Sequence, residues 1–301
     1  MLQSFLEKTI GYSSGYSLEQ LKKKYTTKES QFVSIDGMPL HYRQTGKGPT
    51  LLLVHGIGSS LHTWSEWHDI LSKDFTVVSL DIPGFGLTGG HPYKDYSFAM
   101  YNRVFDQLLD HLQAKKIYMV GNSLGGLLTW NYALHAPKRL NKIVLMDAAG
   151  FVTTKSEMAD IGFHLTIHPF TKKLTHYITP KSLVKSSYQN AVYDATLITD
   201  KKVDTYYDLL LRKGNRENFS AILDNLILTN KDHTGAIRKI QLPTLIMWGE
   251  EDRLLNVSSA FKFKNSIEGS KLLIYEKVGH LPMEEIPERS ALDTKSFLLE
   301  D

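Results

Sequence analysis

The segment Gly121-Asn122-Ser123-Leu124-Gly125-Gly126 sets one serine among glycines, at the junction between an apolar run and a helical pattern. A serine hydroxyl is a poor nucleophile near neutral pH, so it needs a base within hydrogen-bond reach and an acid behind that base. Of twelve histidines, His280 in Val278-Gly279-His280-Leu281-Pro282 sits in a turn after a late predicted strand, downstream of every candidate nucleophile. The acid should lie between the two. Gly249-Glu250-Glu251-Asp252-Arg253 directly follows the buried run Thr244 to Trp248, which makes Asp252 the expected acid. Glu250 and Glu251 beside it, and Asp147 at the end of the preceding predicted strand, remain alternatives.

Gly-x-Ser-x-Gly alone is weak, arising by chance in roughly one chain of this length in ten. Its context is stronger, because a strand before, a helix after and flanking glycines are what a sharp nucleophile turn requires. A charge developing on the attacked carbonyl oxygen needs preorganised donors, and losing one commonly costs ~3 to 4 kcal/mol in the barrier. Leu124 supplies one N–H by following the nucleophile. The second is expected from His55-Gly56-Ile57-Gly58, where glycines bring bare backbone to the site, with Ile57 as first choice and Gly58 as second. His55, preceding a glycine at a strand end, suits a loop-bracing hydrogen bond better than a general base. Asp81-Ile82-Pro83-Gly84-Phe85-Gly86-Leu87-Thr88 reads as a loop held by its own turn chemistry, because it lacks the lysine and glycine spacing of a phosphate cradle. His62, Glu66 and His68 lack His-Glu-x-x-His spacing and are expected to have surface or capping roles. No metal is expected.

Composition narrows the classes further. The 301 residues are 42% hydrophobic and 22% charged, with a net charge of +3, and the basic residues are interleaved with acids. Nucleic acid is therefore not an expected partner; the run Lys22-Lys23-Lys24 reads as a solvated helix face. With no cysteine, disulfides, thiolate metal sites and a cysteine nucleophile are excluded. Glu7 and Lys8 interrupt the start where a secretory signal needs an apolar run, and nothing approaches the roughly 18 apolar residues of a membrane span, so the chain reads as cytoplasmic.

These residues need a frame to bring them together. Gln31 to Ile35, a turn at Asp36-Gly37 and Pro39 to Gln44 read as a hairpin. Thr50 to Val54, Phe75 to Leu80, Lys116 to Val120, Lys142 to Met146, Thr244 to Trp248 and Lys271 to Tyr275 are apolar runs of strand length. Helical patterns such as Tyr101 to Leu112 and Leu124 to His135 lie between them, and the alternation predicts a doubly wound, mostly parallel α/β sheet. Between Gly150 and Ala236 only amphipathic helical pieces occur: Ser182 to Tyr193, Lys201 to Leu211 and Glu217 to Leu228. The expected division is a helical arm over 1–30, a core over 31–150 and 237–301, and a helical cap over 151–236. The arm is signalled by Leu2, Phe5, Leu6 and Ile10 on one face and by a Ser17 capping box. Phe163, Leu165, Ile167, Phe170, Tyr188, Tyr206 and Tyr207 of the cap divide between cap core and pocket lining, which favours an apolar small-molecule substrate.

Taken in order, His55-Gly-Ile-Gly, Asp81-x-Pro-Gly-Phe-Gly, Gly121-Asn-Ser-Leu-Gly-Gly, Gly249-Glu-Glu-Asp and Gly279-His280 resemble the α/β-hydrolase superfamily across nearly the whole chain from Gln31. The stretch from Ser59-Ser60-Leu61-His62-Thr63-Trp64 through Asp81-Ile82-Pro83-Gly84, with Val144 to Gly150 later, looks like the bacterial carboxylesterases grouped as family V lipases, a resemblance that implies cofactor-free ester hydrolysis. The elbow is also similar to that of the carbon-carbon hydrolases of aromatic ring-cleavage pathways, which typically place an aromatic soon after the histidine, where this chain has Leu281-Pro282-Met283-Glu284. Ser123 stands where dehalogenases and epoxide hydrolases carry an aspartate. A ligand receptor on the same fold is the non-catalytic alternative.

Overall fold

In the computed structural model, residues 12–151, 169–228 and 232–300 are described. Eight strands form one sheet: β1 (Ser30–Ile35), β2 (Met38–Thr45), β3 (Thr50–Val54), β4 (Thr76–Leu80), β5 (Ile117–Asn122), β6 (Leu140–Met146), β7 (Thr244–Gly249) and β8 (Lys271–Tyr275). Their spatial order is β1-β2-β4-β3-β5-β6-β7-β8. The hairpin β1/β2 and the pair β2/β4 are antiparallel, and every later pair is parallel. Asp36 and Gly37 turn the hairpin with φ of 48° and 77°, the left-handed pair that matches strand twist.

Each parallel strand is apolar on both sides because each side has its own core. Leu52 and Val54 of β3 join Ile246 and Trp248 of β7 in one cluster, while Leu51, Leu53, Leu245 and Met247 belong to the other. The alternation follows from the two-residue repeat of a strand. Strand β3 lies between β4 and β5, so the chain leaves it toward opposite sides, and the crevice at such a reversal is where open α/β sheets bind ligands. Register aligns the carboxyl ends at that crevice: Val54 pairs with Gly121, Asn122 with Met146, Met146 with Met247 and Gly249 with Tyr275.

Between β6 and β7 the described residues carry helices and no strand: Pro169–Thr175, Lys181–Ala191, Asp200–Leu210, Asn215–Leu228 and Thr234–Ile237. Phe163, Leu165, Ile167 and the Phe170 side chain lie outside the described residues. At the other end, the helix Leu18–Tyr25 begins with the full Ser17/Gln20 capping box. It packs on this helical layer, burying Leu21 and Tyr25 against Leu209, with the Tyr25 hydroxyl 2.7 Å from Asp208 Oδ2. Lys24 reaches the same carboxylate at 2.5 Å while its side chain stays exposed. Leu2, Phe5, Leu6 and Ile10 lie outside the described residues. No described helix is long and apolar enough to cross a membrane.

Candidate active site

Ser123 follows β5 and precedes the helix Leu124–His135 with φ 57° and ψ −116°, a conformation costing of order 1–3 kcal/mol that only over-determined surroundings sustain. The glycines around it provide those surroundings. A Cβ on Gly121 would lie 2.1 Å from Gly125 O, one on Gly125 would lie 2.1 Å from Val54 O, and one on Gly126 would lie 2.4 Å from the Ala148 Cβ. Helix and strand therefore cross closer than side chains permit. Backbone bonds fix the corner: Ser123 N donates to Met146 O at 3.0 Å, and Ser123 O accepts from Leu127 N and Ala149 N at 3.0 and 3.1 Å. The hydroxyl makes no hydrogen bond among the described residues.

His280 Nδ1 lies 2.7 Å from Asp252 Oδ2, and both residues are buried. Asp252 Oδ1 accepts from Leu254 N and Leu255 N at 2.8 and 2.9 Å, so the carboxylate is held by backbone on one oxygen and presents the other to the ring. Glu250 and Glu251 point to solvent. The histidine loop is tied to the serine turn by Asn122, whose Nδ2 donates to His280 O at 3.0 Å. Glu285 accepts from Gly279 N at 2.9 Å, Leu281 N at 3.4 Å and Tyr193 N at 2.7 Å, while His280 N donates to Ala191 O at 2.7 Å. Burial pushes the Glu285 carboxyl up from its ordinary value.

The loop after β3 closes the other side. Gly56 approaches until a Cβ there would be 3.0 Å from the Ser123 Cβ. Neither Ile57 N–H nor Leu124 N–H donates to any described residue, so both expected oxyanion donors are unspent. His55 braces this loop as expected, with Nδ1 2.7 Å from Gly56 O and Nε2 accepting from Ile82 N at 3.1 Å, which fixes its tautomer. Burial lowers its pKa. Phe219 and Ile222 of the helix Asn215–Leu228 pack directly over Gly58 and Gly84. Tyr188 and Tyr206, expected in the cap core or the pocket lining, aim their hydroxyls at Glu284.

Asp81 reaches further than its own turn. Its oxygens accept from Leu61 N at 2.8 Å and Leu87 N at 2.7 Å, and His41 Nδ1 lies 2.7 Å away, so one carboxylate fixes two loops beside the site. Burial works against the charge, but His41 and its hydrogen bond hold the Asp81 carboxyl below the usual carboxylate range. His41 Nε2 in turn lies 3.1 Å from Ser30 Oγ, giving a second Ser-His-Asp chain. Ser30 opens an antiparallel strand paired with Arg43, without a strained corner, a following helix or a facing glycine loop, so this chain lacks what a nucleophile requires. His62 and His68 each spend both ring nitrogens on protein partners, the first on Ser60 and Tyr25 and the second on Thr45 and Ser79.

Sequence reasoning missed the tethering role of Asn122 and the clamp formed by Glu284 and Glu285. Two adjacent acids four and five residues after the histidine were the available signal.

The alpha/beta hydrolase fold family matches residues 49–287. The chain is 27% identical over 263 residues to 2-hydroxy-6-oxo-2,4-heptadienoate hydrolase of Pseudomonas putida, covering 83% of this chain and 89% of that protein. It is 26% identical to an uncharacterised hydrolase, YugF, of Bacillus subtilis, covering 85% and 92%. Among solved structures, a meta-cleavage product hydrolase, CumD of Pseudomonas fluorescens, superposes with a TM-score of 0.80 at 25% identity, covering 91% of this chain and 100% of that one. A bacterial membrane phospholipase A shares the fold, with a TM-score of 0.76 over 89% of this chain and 85% of that one at 24% identity. The chain therefore belongs to the α/β-hydrolase family and is a hydrolase of that fold.

Proposed function

We propose that the protein is a serine hydrolase that cleaves carboxylic esters of apolar acids through an acyl-enzyme on Ser123. The observation that carries this reading is the strained Ser123 turn, tied through Asn122 to the backbone of His280, together with the hydrogen-bonded His280–Asp252 pair and two unspent backbone N–H groups. His280 takes the Ser123 proton as the oxygen attacks the carbonyl; Leu124 N–H and Ile57 N–H receive the oxyanion; the alcohol leaves with the proton from His280. Water repeats the sequence on the acyl-enzyme. Asp252 holds the imidazole with Nε2 toward the serine. Phe219, packed on Gly58 next to the Ile57 donor, supports an uncharged acyl or aromatic group.

A second reading, hydrolysis of a carbon-carbon bond in a ring-fission diketone, is favoured by similarity to two hydrolases named for 2-hydroxy-6-oxo-dienoate substrates, over 83% and 85% of this chain. The same three side chains would serve it. A nitrophenyl ester series from acetate to palmitate, run on wild type and Ser123→Ala, separates the two. The expected result is turnover with preference for short to medium chains, lost by at least about 10³-fold in the variant. Inactivity on every ester with turnover of a ring-fission product would move the assignment to carbon-carbon chemistry, and equal ester rates in the two proteins would remove Ser123 from the mechanism.

A further inference from the structure

Asp147 follows β6, fully buried, with φ 44° in the left-handed region that aspartate and asparagine tolerate better than most residues. Its Oδ1 accepts from Gly249 N at 3.0 Å, and its Oδ2 is buried with no donor. Polar atoms of Asp147, Asp252 and His280 lie within 4.8 Å of one another.

Two buried carboxyls this close do not both ionise, and the proton goes to the one whose charge is less well supported. Asp252 has three donors, namely Leu254 N, Leu255 N and the His280 ring, whereas Asp147 has one. Burial first, and then the Asp252 charge, push the Asp147 carboxyl well above the ordinary range. Glu285 and Tyr275 also face Asp147, the former adding to the same effect.

We propose that Asp147 is a positioning residue: a neutral carboxyl whose O–H donates to the Asp252 carboxylate and extends the His280–Asp252 pair by a fourth member. The donor gives the orphaned Oδ2 a partner, helps fix the Asp252 rotamer, and draws part of the Asp252 charge away from the imidazole. It rests on the catalytic reading of Ser123, His280 and Asp252 given above.

The test is the rate of Ser123 phosphonylation by a fluorophosphonate, followed by intact mass across pH, for wild type, Asp147→Ala and Asp147→Asn; this readout is independent of whether the natural bond is an ester or a carbon-carbon bond. Asp147→Ala is expected to react about tenfold more slowly, the effect of one lost hydrogen bond to a charged group. Its acid limb should move to higher pH, because an undiluted Asp252 charge stabilises the imidazolium. Asp147→Asn, whose amide also donates and suits the same backbone, should restore most of the rate and the wild-type limb. A hundredfold slower Asp147→Asn with its acid limb moved to lower pH would show an ionised Asp147 and overturn the proposal. Wild-type behaviour of Asp147→Ala, or slowing with an unmoved limb, would equally overturn it. An unreactive wild type would instead overturn the underlying catalytic reading.

Discussion

At the scale of single residues, the site is built by side chains that hold other groups still. Asn122 is the clearest case, since its amide joins the turn carrying Ser123 to the backbone of His280 across 158 positions of sequence. Asn122→Ala should leave the fold intact and lower kcat about tenfold with little change in KM, the cost of one buried hydrogen bond made across the reacting geometry. Steady-state kinetics with a thermal melt checks this, and a changed KM at constant kcat would assign Asn122 to substrate binding instead. Ser123, Asp252 and His280 could be picked out as candidates because each type carries a necessary chemical property and each follows an apolar run. Asn122, Glu284 and Glu285 were not, because their effect lies in which distant backbone atom they reach, and no local pattern encodes that.

At the scale of elements, the helical layer over the site is fastened to the histidine loop. Glu284 accepts from Thr63 Oγ1 at 2.6 Å, from the Tyr206 hydroxyl at 2.6 Å and from the Tyr188 hydroxyl, with Lys202 Nζ at 3.3 Å. Three of these donors come from the helices Lys181–Ala191 and Asp200–Leu210. Glu284→Gln keeps the volume but loses charge-assisted bonds to several buried donors, so stability should fall by at least ~2 kcal/mol. Urea unfolding measures it; a midpoint within error of wild type would mean the layer is held by apolar packing alone. The helices themselves were read from periodicity to within a residue or two: Ser182 to Tyr193 was expected and Lys181–Ala191 is observed. Their attachment was not readable, because tyrosines at core-like phases look the same in sequence whether they fill a pocket or carry a hydroxyl to an acid.

At the scale of the whole molecule, strand existence and the parallel character of the sheet followed from continuous apolar runs alternating with helical patterns. The exchange of β3 and β4 in spatial order did not, because local periodicity carries no information about neighbours in a sheet. That exchange creates the crevice, and Asp81 stabilises its two flanking loops as a buried anion. Its folded-state pKa is depressed, so its contribution is present above the ordinary aspartate value and lost as pH falls through the folded value. Wild-type stability should therefore drop as pH falls below about 4, and Asp81→Asn, less stable at neutral pH, should show a shallower drop. Denaturant unfolding from pH 6 to 3 tests this, and parallel slopes would deny Asp81 that role. The central claim, that the sheet presents one serine for covalent catalysis and leaves its look-alike inert, is tested most directly by peptide mapping after fluorophosphonate treatment. The expected result is a single adduct on the peptide holding Ser123, absent from Ser123→Ala; an adduct on Ser30, which also has a histidine and an aspartate behind it, or none on the folded wild type, would contradict the account.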